Sequence, residues 1–217
     1  MIKRYLLTFA GLCLLIIAYL LTLLPLQIIR NDLAAETYLK ALFVWGILVL
    51  FSFLPVVSIL IKKIWFFHGT GRAVSEKQLR AILLAVNEMA LPIRILKKGK
   101  RLVGQWRYDD PVWCEYMTAA NVSTLYELRL KFRESTNTVL VSDHFRRVNF
   151  DLCPVRVKTG LLAVPRPLLG IKRNEKLGIE QYKKMKQFDF QYKPAEIKSP
   201  LLNTILAHGW NVQFTLF

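Results

Sequence analysis

Acidic residues are scarce in this 217-residue chain: 15 Asp and Glu stand against 31 Lys and Arg, a formal charge of +16. Histidine and cysteine are scarcer still, at three each. There is no C-x-x-C, so neither a zinc ribbon nor a thioredoxin-type dithiol is indicated. H-E-x-x-H, G-x-S-x-G and the P-loop are missing, which removes the usual signatures of metalloproteases, α/β-hydrolases and phosphate-loop enzymes. No internal repeat or low-complexity tract occurs. Charge is missing altogether from Tyr5 to Ile29, and the run from Leu39 to Ile61 carries only Lys40, at its edge.

Those two gaps organise the chain. At 1.5 Å per residue, the first run reaches roughly 38 Å, enough to cross a bilayer core with some tilt. The second run can span too, and the short polar segment between them makes the two antiparallel neighbours. Pro25 and Pro55 lie near one end of each. The start, Met1-Ile2-Lys3-Arg4, resembles a signal peptide, but the apolar stretch is too long and no small-x-small cleavage site follows, so it is expected to be retained. The expected organisation is a transmembrane helical hairpin over residues 1–67, with spans at about 5–29 and 39–61, then a basic α+β domain over 68–217. From Lys62 onward the chain holds 27 of the cations and 13 of the acids.

Lys3 and Arg4 precede the hairpin and Lys62, Lys63 and Arg72 follow it, whereas Arg30 and Lys40 flank the loop. The positive-inside rule then puts both termini in the cytoplasm. Trp65, Phe66 and Phe67 fit an interfacial aromatic belt. The spans hold no Asp, Glu or His and no cation at depth, so an ion or proton path within this chain is not expected. Gly11, Gly46 and Ser52 offer close helix approach, although no G-x-x-x-G occurs. Cys13 lies in the first apolar run, where no partner is inferred; Cys114 and Cys153 can in principle pair, but no spacing demands a bridge, and they read as free thiols, which suits a reducing compartment.

In the second part, His68-Gly69-Thr70-Gly71 reads as a flexible joint. Ser75-x-x-Gln78 is a capping box, and Leu79, Ile82, Leu83 and Val86 keep helical spacing, which predicts a helix near 75–90. Ile93–Leu96 and Leu102–Tyr108, joined through Lys97-Lys98-Gly99-Lys100, predict a hairpin. Asp109-Asp110-Pro111 is a turn, followed by an ambiguous stretch from 112 to 120. Leu125–Arg133 alternates Leu128, Leu130 and Phe132 with Arg129, Lys131 and Arg133, a half-buried strand with one cationic face. Residues 138–142, 155–164, 188–192 and 210–216 read as further strands. Ser199 as N-cap, Pro200 at the first helical position and Gly209 beyond the end predict a helix over 199–208. The sheet is expected to be mostly antiparallel, with two or more helices.

The candidate site is a basic surface: Lys62 and Lys63 at the membrane end, Lys97, Lys98, Lys100 and Arg101 in the hairpin, and Arg129, Lys131 and Arg133 on the alternating strand. Arg146 and Arg147 extend it, and Lys183, Lys184 and Lys186 form another cluster. Such a face suits the anionic lipids of a leaflet or an acidic protein partner in the membrane. Nucleic acid is not expected, because no helix-turn-helix, zinc finger or RNA-binding aromatic motif accompanies the charge. No cofactor, metal site or catalytic constellation is expected. His144 beside Asp143, with Asp151 nearby, is the densest polar group, but strand neighbours point to opposite faces. Asp109, Asp110 and Glu115 fit a turn better than a metal site. His68 and His208 read as ordinary side chains, Gly69-Thr70-Gly71-Arg72 as a linker, and Asn121-Val122-Ser123 as a sequon without meaning in the cytoplasm.

Trp106-Arg107-Tyr108, the alternating strand, Glu196-x-Lys198-x-Pro200-Leu201 and the closing Gly209-Trp210 together resemble uncharacterised small bacterial membrane proteins in which one or two spans precede a soluble α+β domain. The resemblance implies a bacterial inner membrane and this architecture, but no activity and no catalytic residue. The expected function is a membrane-anchored, non-enzymatic binding or accessory protein. The alternatives are an enzyme acting on a membrane-associated or anionic substrate through Asp143, His144 or Asp109, and a small subunit of a larger transport or secretion complex.

Overall fold

The computed structural model describes residues 2–147, 164–165, 168, 178–186 and 189–215. The chain forms two units, Met1–Trp65 and Phe66–Phe217.

The first unit is a helical hairpin. Helix α1 (Ile2–Ile28) passes through a 3-10 turn (Ile29–Asp32) to helix α2 (Ala35–Ile64). Both are long and apolar enough to cross a membrane, and almost none of either apolar stretch is buried (0% and 6%). Polar side chains meet across the pair. Trp65 Nε1 donates to Thr8 Oγ1 at 3.0 Å, Tyr19 Oη and Ser52 Oγ lie 2.8 Å apart, and Trp45 Nε1 donates to Thr22 Oγ1 at 3.1 Å. Such pairs hold helices together where no water competes for the groups. Gly11 permits the close approach of Leu60, whose Cδ1 would lie 2.9 Å from an added Cβ, whereas Gly46 faces open space and makes no such contact.

The second unit is α+β. Its strands are β1 (Phe66–Phe67), β2 (Ile93–Lys98), β3 (Arg101–Trp106), β4 (Thr124–Arg133), β5 (Thr138–Arg147), β6 (Val164–Pro165) and β7 (Asn211–Phe214), and its helices are α3 (Glu76–Leu84), α4 (Pro111–Ala119) and α5 (Pro194–Ala207). The sheet runs β1-β7-β5-β4-β3-β2, with β6 on the far half of β5. All pairs are antiparallel except β5 with β7.

Local sequence explains several elements. The Ser75–Gln78 capping box starts α3, which ends at Leu84 in a 3-10 turn, Ala85–Glu88. That turn aims Asn87 at the outer edge of β2, where its amide bonds both the N–H (2.7 Å) and the carbonyl (2.8 Å) of Ile95 and closes an exposed edge. Gly99, at φ +59°, supplies the left-handed residue of a two-residue hairpin loop between Lys98 and Arg101. Asp110 caps α4 by accepting from Val112 N at 3.1 Å, and Pro111 takes the first helical position.

Four expectations are corrected. His68–Gly71 is not a flexible joint: Thr70 N donates to Leu206 O at 2.7 Å and Gly69 N to Asn211 Oδ1 at 3.0 Å. A Cβ on Gly69 would fall 2.5 Å from the carbonyl carbon of Gly209, itself at φ +78°, so the two glycines let these segments interlock. Phe67 and Trp65 are buried rather than presented as an aromatic belt, and Phe67 pairs with Val212 inside the sheet. Residues 189–192 form no strand. The Asp189 carboxylate turns back to Lys186 N (2.7 Å), Tyr192 sits at φ +54°, and Phe190 and Tyr192 pack on Trp106 with centroids 6.4 and 5.2 Å away.

The fourth concerns α5, which starts at Pro194 rather than at Ser199. Pro194 takes the first helical position, and the Glu196 carboxylate accepts from Lys193 N (3.2 Å) and Gln191 N (3.0 Å). Pro200 therefore lies inside the helix, where it cannot supply the N–H that the Glu196 carbonyl would otherwise receive. Tyr182 Oη donates to that carbonyl instead, at 2.7 Å. Residues Ile197 to Leu206 are all buried. Gly104 lets α5 lie close on β3, since a Cβ there would stand 3.1 Å from Leu201 Cδ1 and 3.3 Å from Ile197 Cγ2. Residues 155–163, 188 and 216, expected as parts of strands, lie outside the described residues.

Candidate functional site

Alternation along β4 sends Tyr126, Leu128, Leu130 and Phe132 to the face covered by α5, and Glu127, Arg129, Lys131 and Arg133 to the other. Register then decides what stands beside each cation. Lys98 pairs with Arg101, and Arg101 pairs with Lys131. The three cations thus form one row across β2, β3 and β4, with side chains on the same face and Cβ atoms about 5 Å apart between neighbours. Like charges directly opposite each other are destabilising. All three are exposed, as is Arg133, and none of the four forms an ion pair among the described residues.

The other predicted cations divide. Lys97 and Lys100 are exposed at the same hairpin tip, and the carbonyl of Lys100 accepts from Arg80 Nη2 at 2.7 Å. Arg129 does not join the open row: half-buried, it donates to Glu127 Oε2 at 3.2 Å. Lys62 and Lys63 occupy the last turn of α2, where cations suit the helix dipole. Lys183 and Lys186 are exposed, away from the sheet row, and the side chains of Lys184 and Arg147 are outside the description.

Behind Arg129 lies a polar row that sequence reading missed. Arg94, Gln105, Glu127 and His144 stand in register across β2, β3, β4 and β5. Glu127 is 3% exposed in its side chain, with Arg129 on one oxygen and Arg146 Nε 2.9 Å from the other, an ion pair without hydrogen-bond alignment. His144 Nε2 lies 3.2 Å from Ser142 Oγ. Asp109 pairs with Arg94 at 2.7 Å.

Asp143 points the opposite way, under α5. Its Oδ2 accepts from Lys198 Nζ at 2.8 Å and from Leu168 N at 3.0 Å, and its Oδ1 accepts from Tyr126 Oη at 2.5 Å. Lys198 Nζ also donates to the Leu168 carbonyl and sits 4.3 Å from the centre of the Phe214 ring. Burial lowers the Lys198 pKa against the opposing pull of Asp143, and burial together with Asp143 holds Tyr126 well above the usual phenol range. This cluster satisfies its own charges, and it holds both backbone groups of Leu168. No sequence motif marks it, because Asp143 and Lys198 are 55 positions apart. Asp143, His144 and Asp109 therefore occupy two sheet faces and a turn, and share no cleft. Asp151 lies outside the described residues.

His208 Nδ1 donates to the Thr204 carbonyl at 2.8 Å and closes α5. Among the described residues, no group of three or more His, Cys, Asp or Glu could hold a metal. Cys114 is disulfide-bonded, against the expectation of a free thiol; Cys13 is free and Cys153 lies outside the described residues. No protein family, curated protein or solved structure matches this chain.

Proposed function

We propose that the protein is a membrane-anchored, non-enzymatic binding or accessory protein, whose α1–α2 hairpin spans a bacterial inner membrane and whose basic domain binds an anionic surface, of lipid or of an acidic partner. The observation that carries this reading is the in-register row Lys98–Arg101–Lys131. Three exposed cations placed directly opposite one another lower stability, and no acid among the described residues pairs with them, so an external anion is the natural counterpart. The exposed apolar faces of α1 and α2 support the anchor: in water they would leave a large apolar surface uncovered.

The test is purification in mild detergent, with co-purifying proteins and lipids identified by mass spectrometry, for the wild type and for Lys98→Glu/Arg101→Glu/Lys131→Glu. The triple reversal should strip the anionic partner. If the bound lipid and protein stay the same, this face is not the binding surface.

The cations flanking the spans favour both termini in the cytoplasm. The disulfide at Cys114 counts against that side, because disulfides are rare in the cytosol. A C-terminal green fluorescent protein fusion decides between the two signals. Fluorescence supports the cytoplasmic placement; a dark fusion, with an active phosphatase fusion in its place, reverses it.

A further inference from the structure

The cationic row does not stop at β4. Lys131 pairs with Leu140 on β5, Leu140 with Gln213 on β7, and Gln213 with Phe66 on β1. One register line therefore crosses the sheet: Phe66, Gln213, Leu140, Lys131, Arg101, Lys98. Five strand spacings make it about 24 Å long. Its two ends differ in character. Phe66 and Leu140 are half-buried and apolar, whereas Lys131, Arg101 and Lys98 are exposed and cationic. Phe66 is also where the chain enters the domain, because α2 ends at Ile64 and only Trp65 intervenes.

We infer that Lys131, Arg101 and Lys98, the cationic end of this register line, take the phosphate groups of anionic phospholipids in the leaflet from which α2 emerges. The inference rests on the reading that α1 and α2 span a bilayer, and it selects lipid over an acidic protein as the occupant. Three features favour lipid. The line begins two residues beyond the end of α2, so the chain itself tethers its first strand to that helix. Its charge rises with distance from that entry point, where attraction is needed to keep a 24 Å line on the surface. Its cations form no ion pair with an acid among the described residues, and a fluid row of phosphates supplies such a counter-charge at every position of the row. Each cation held near an anionic surface gains attraction that salt screens within about 8 Å at physiological ionic strength.

The experiment is lysine footprinting by acetylation and mass spectrometry on the full chain in nanodiscs, with either zwitterionic lipid alone or zwitterionic lipid containing phosphatidylglycerol. Lys77, exposed on α3, and Lys183 serve as internal references. With phosphatidylglycerol, Lys98 and Lys131 should react at least about 5-fold more slowly than in zwitterionic discs, and 0.5 M salt should restore their rates. The references should not change. If Lys98 and Lys131 are protected in native-membrane preparations but not in anionic nanodiscs, the occupant is a protein; the lipid inference falls and the wider binding reading stands. If they react freely in both, both readings fall. If the chain does not enter nanodiscs, the anchor itself is wrong.

Discussion

The buried Lys198–Asp143 pair gives the sharpest test of how this domain is held together. Lys198→Met keeps most of the side-chain volume and removes the ammonium. Asp143 then retains Tyr126 Oη and Leu168 N, but loses its counter-charge in a site where the two side chains are 1% and 3% exposed. Removing one partner of a buried pair costs about 3–5 kcal/mol. Asp143→Asn strands the other member, and two features soften that loss. The Phe214 ring lies 4.3 Å from Nζ, and the lysine can lose its proton, as burial already favours. Lys198→Met should therefore be the worse of the two at neutral pH.

The pH dependence separates them further. A lysine whose folded pKa lies below its unfolded value of 10.5 binds fewer protons when folded, so stability rises with pH between those two values. Asp143→Asn removes the contribution that held the pKa up, so it lowers the bottom of that window. The Asn variant should therefore regain stability as pH rises toward 10.5, beginning at lower pH than in the wild type, and Lys198→Met should not. Guanidinium unfolding in mild detergent reads both, through the fluorescence of the fully buried Trp106 and Trp210. A loss of 3–5 kcal/mol corresponds to a Tm drop of about 6–20 °C for a domain of this size. If Lys198→Met unfolds within about 1 kcal/mol of the wild type, or Asp143→Asn shows no pH recovery, the pair is not buried as described.

Gly69→Ala places a Cβ 2.5 Å from backbone and should cost about 3 kcal/mol, whereas Gly104→Ala meets a movable Leu201 methyl at 3.1 Å and should stay within about 1 kcal/mol; a thermal melt of each compares them. Tyr182→Phe removes the donor to the Glu196 carbonyl and should cost about 1–3 kcal/mol, and adding Pro200→Ala should recover part of it by restoring the helical N–H. A recovery of zero in denaturant unfolding would mean that the carbonyl is satisfied elsewhere. Alkaline titration at 295 nm should show Tyr192 ionising near 12, with Tyr126 and Tyr182 ionising only on unfolding. Because these phenols are raised by burial, their contribution is complete below pH 10 and is lost as pH climbs past it.

Short-range chemistry made much of the fold legible. The two uncharged runs became α1 and α2, Ser75 and Gln78 capped α3, Gly99 turned the hairpin, and the period-two pattern of Leu125–Arg133 became β4, because each signal is complete within a few residues. Ser199-Pro200 misled for a physical reason. A proline inside a helix is disfavoured locally, and only a tyrosine 18 positions earlier, held by tertiary packing, supplies the missing bond partner. The flexible reading of His68–Gly71 failed in the same way: glycine permits mobility, but it also permits the close approach to Gly209.

The candidate site was half legible, and the missing half is register. Sequence shows that Arg129, Lys131 and Arg133 share a face, but it does not rank them. Only pairing with β3 separates Lys131, which stands beside Arg101, from Arg129, whose row holds Val103 and Ser142 and whose guanidinium is drawn to Glu127. A shift of one residue in the β3–β4 pairing would have put Lys131 on the face opposite to Arg101 and Lys98. The same register carries the line on to Phe66, which no local motif connects to Lys98. A face built from five strand pairings, three of them between segments 30 or more positions apart, belongs to the sheet rather than to any stretch of sequence, so a variant that shifts register should abolish the proposed anion binding even with every lysine and arginine still in place.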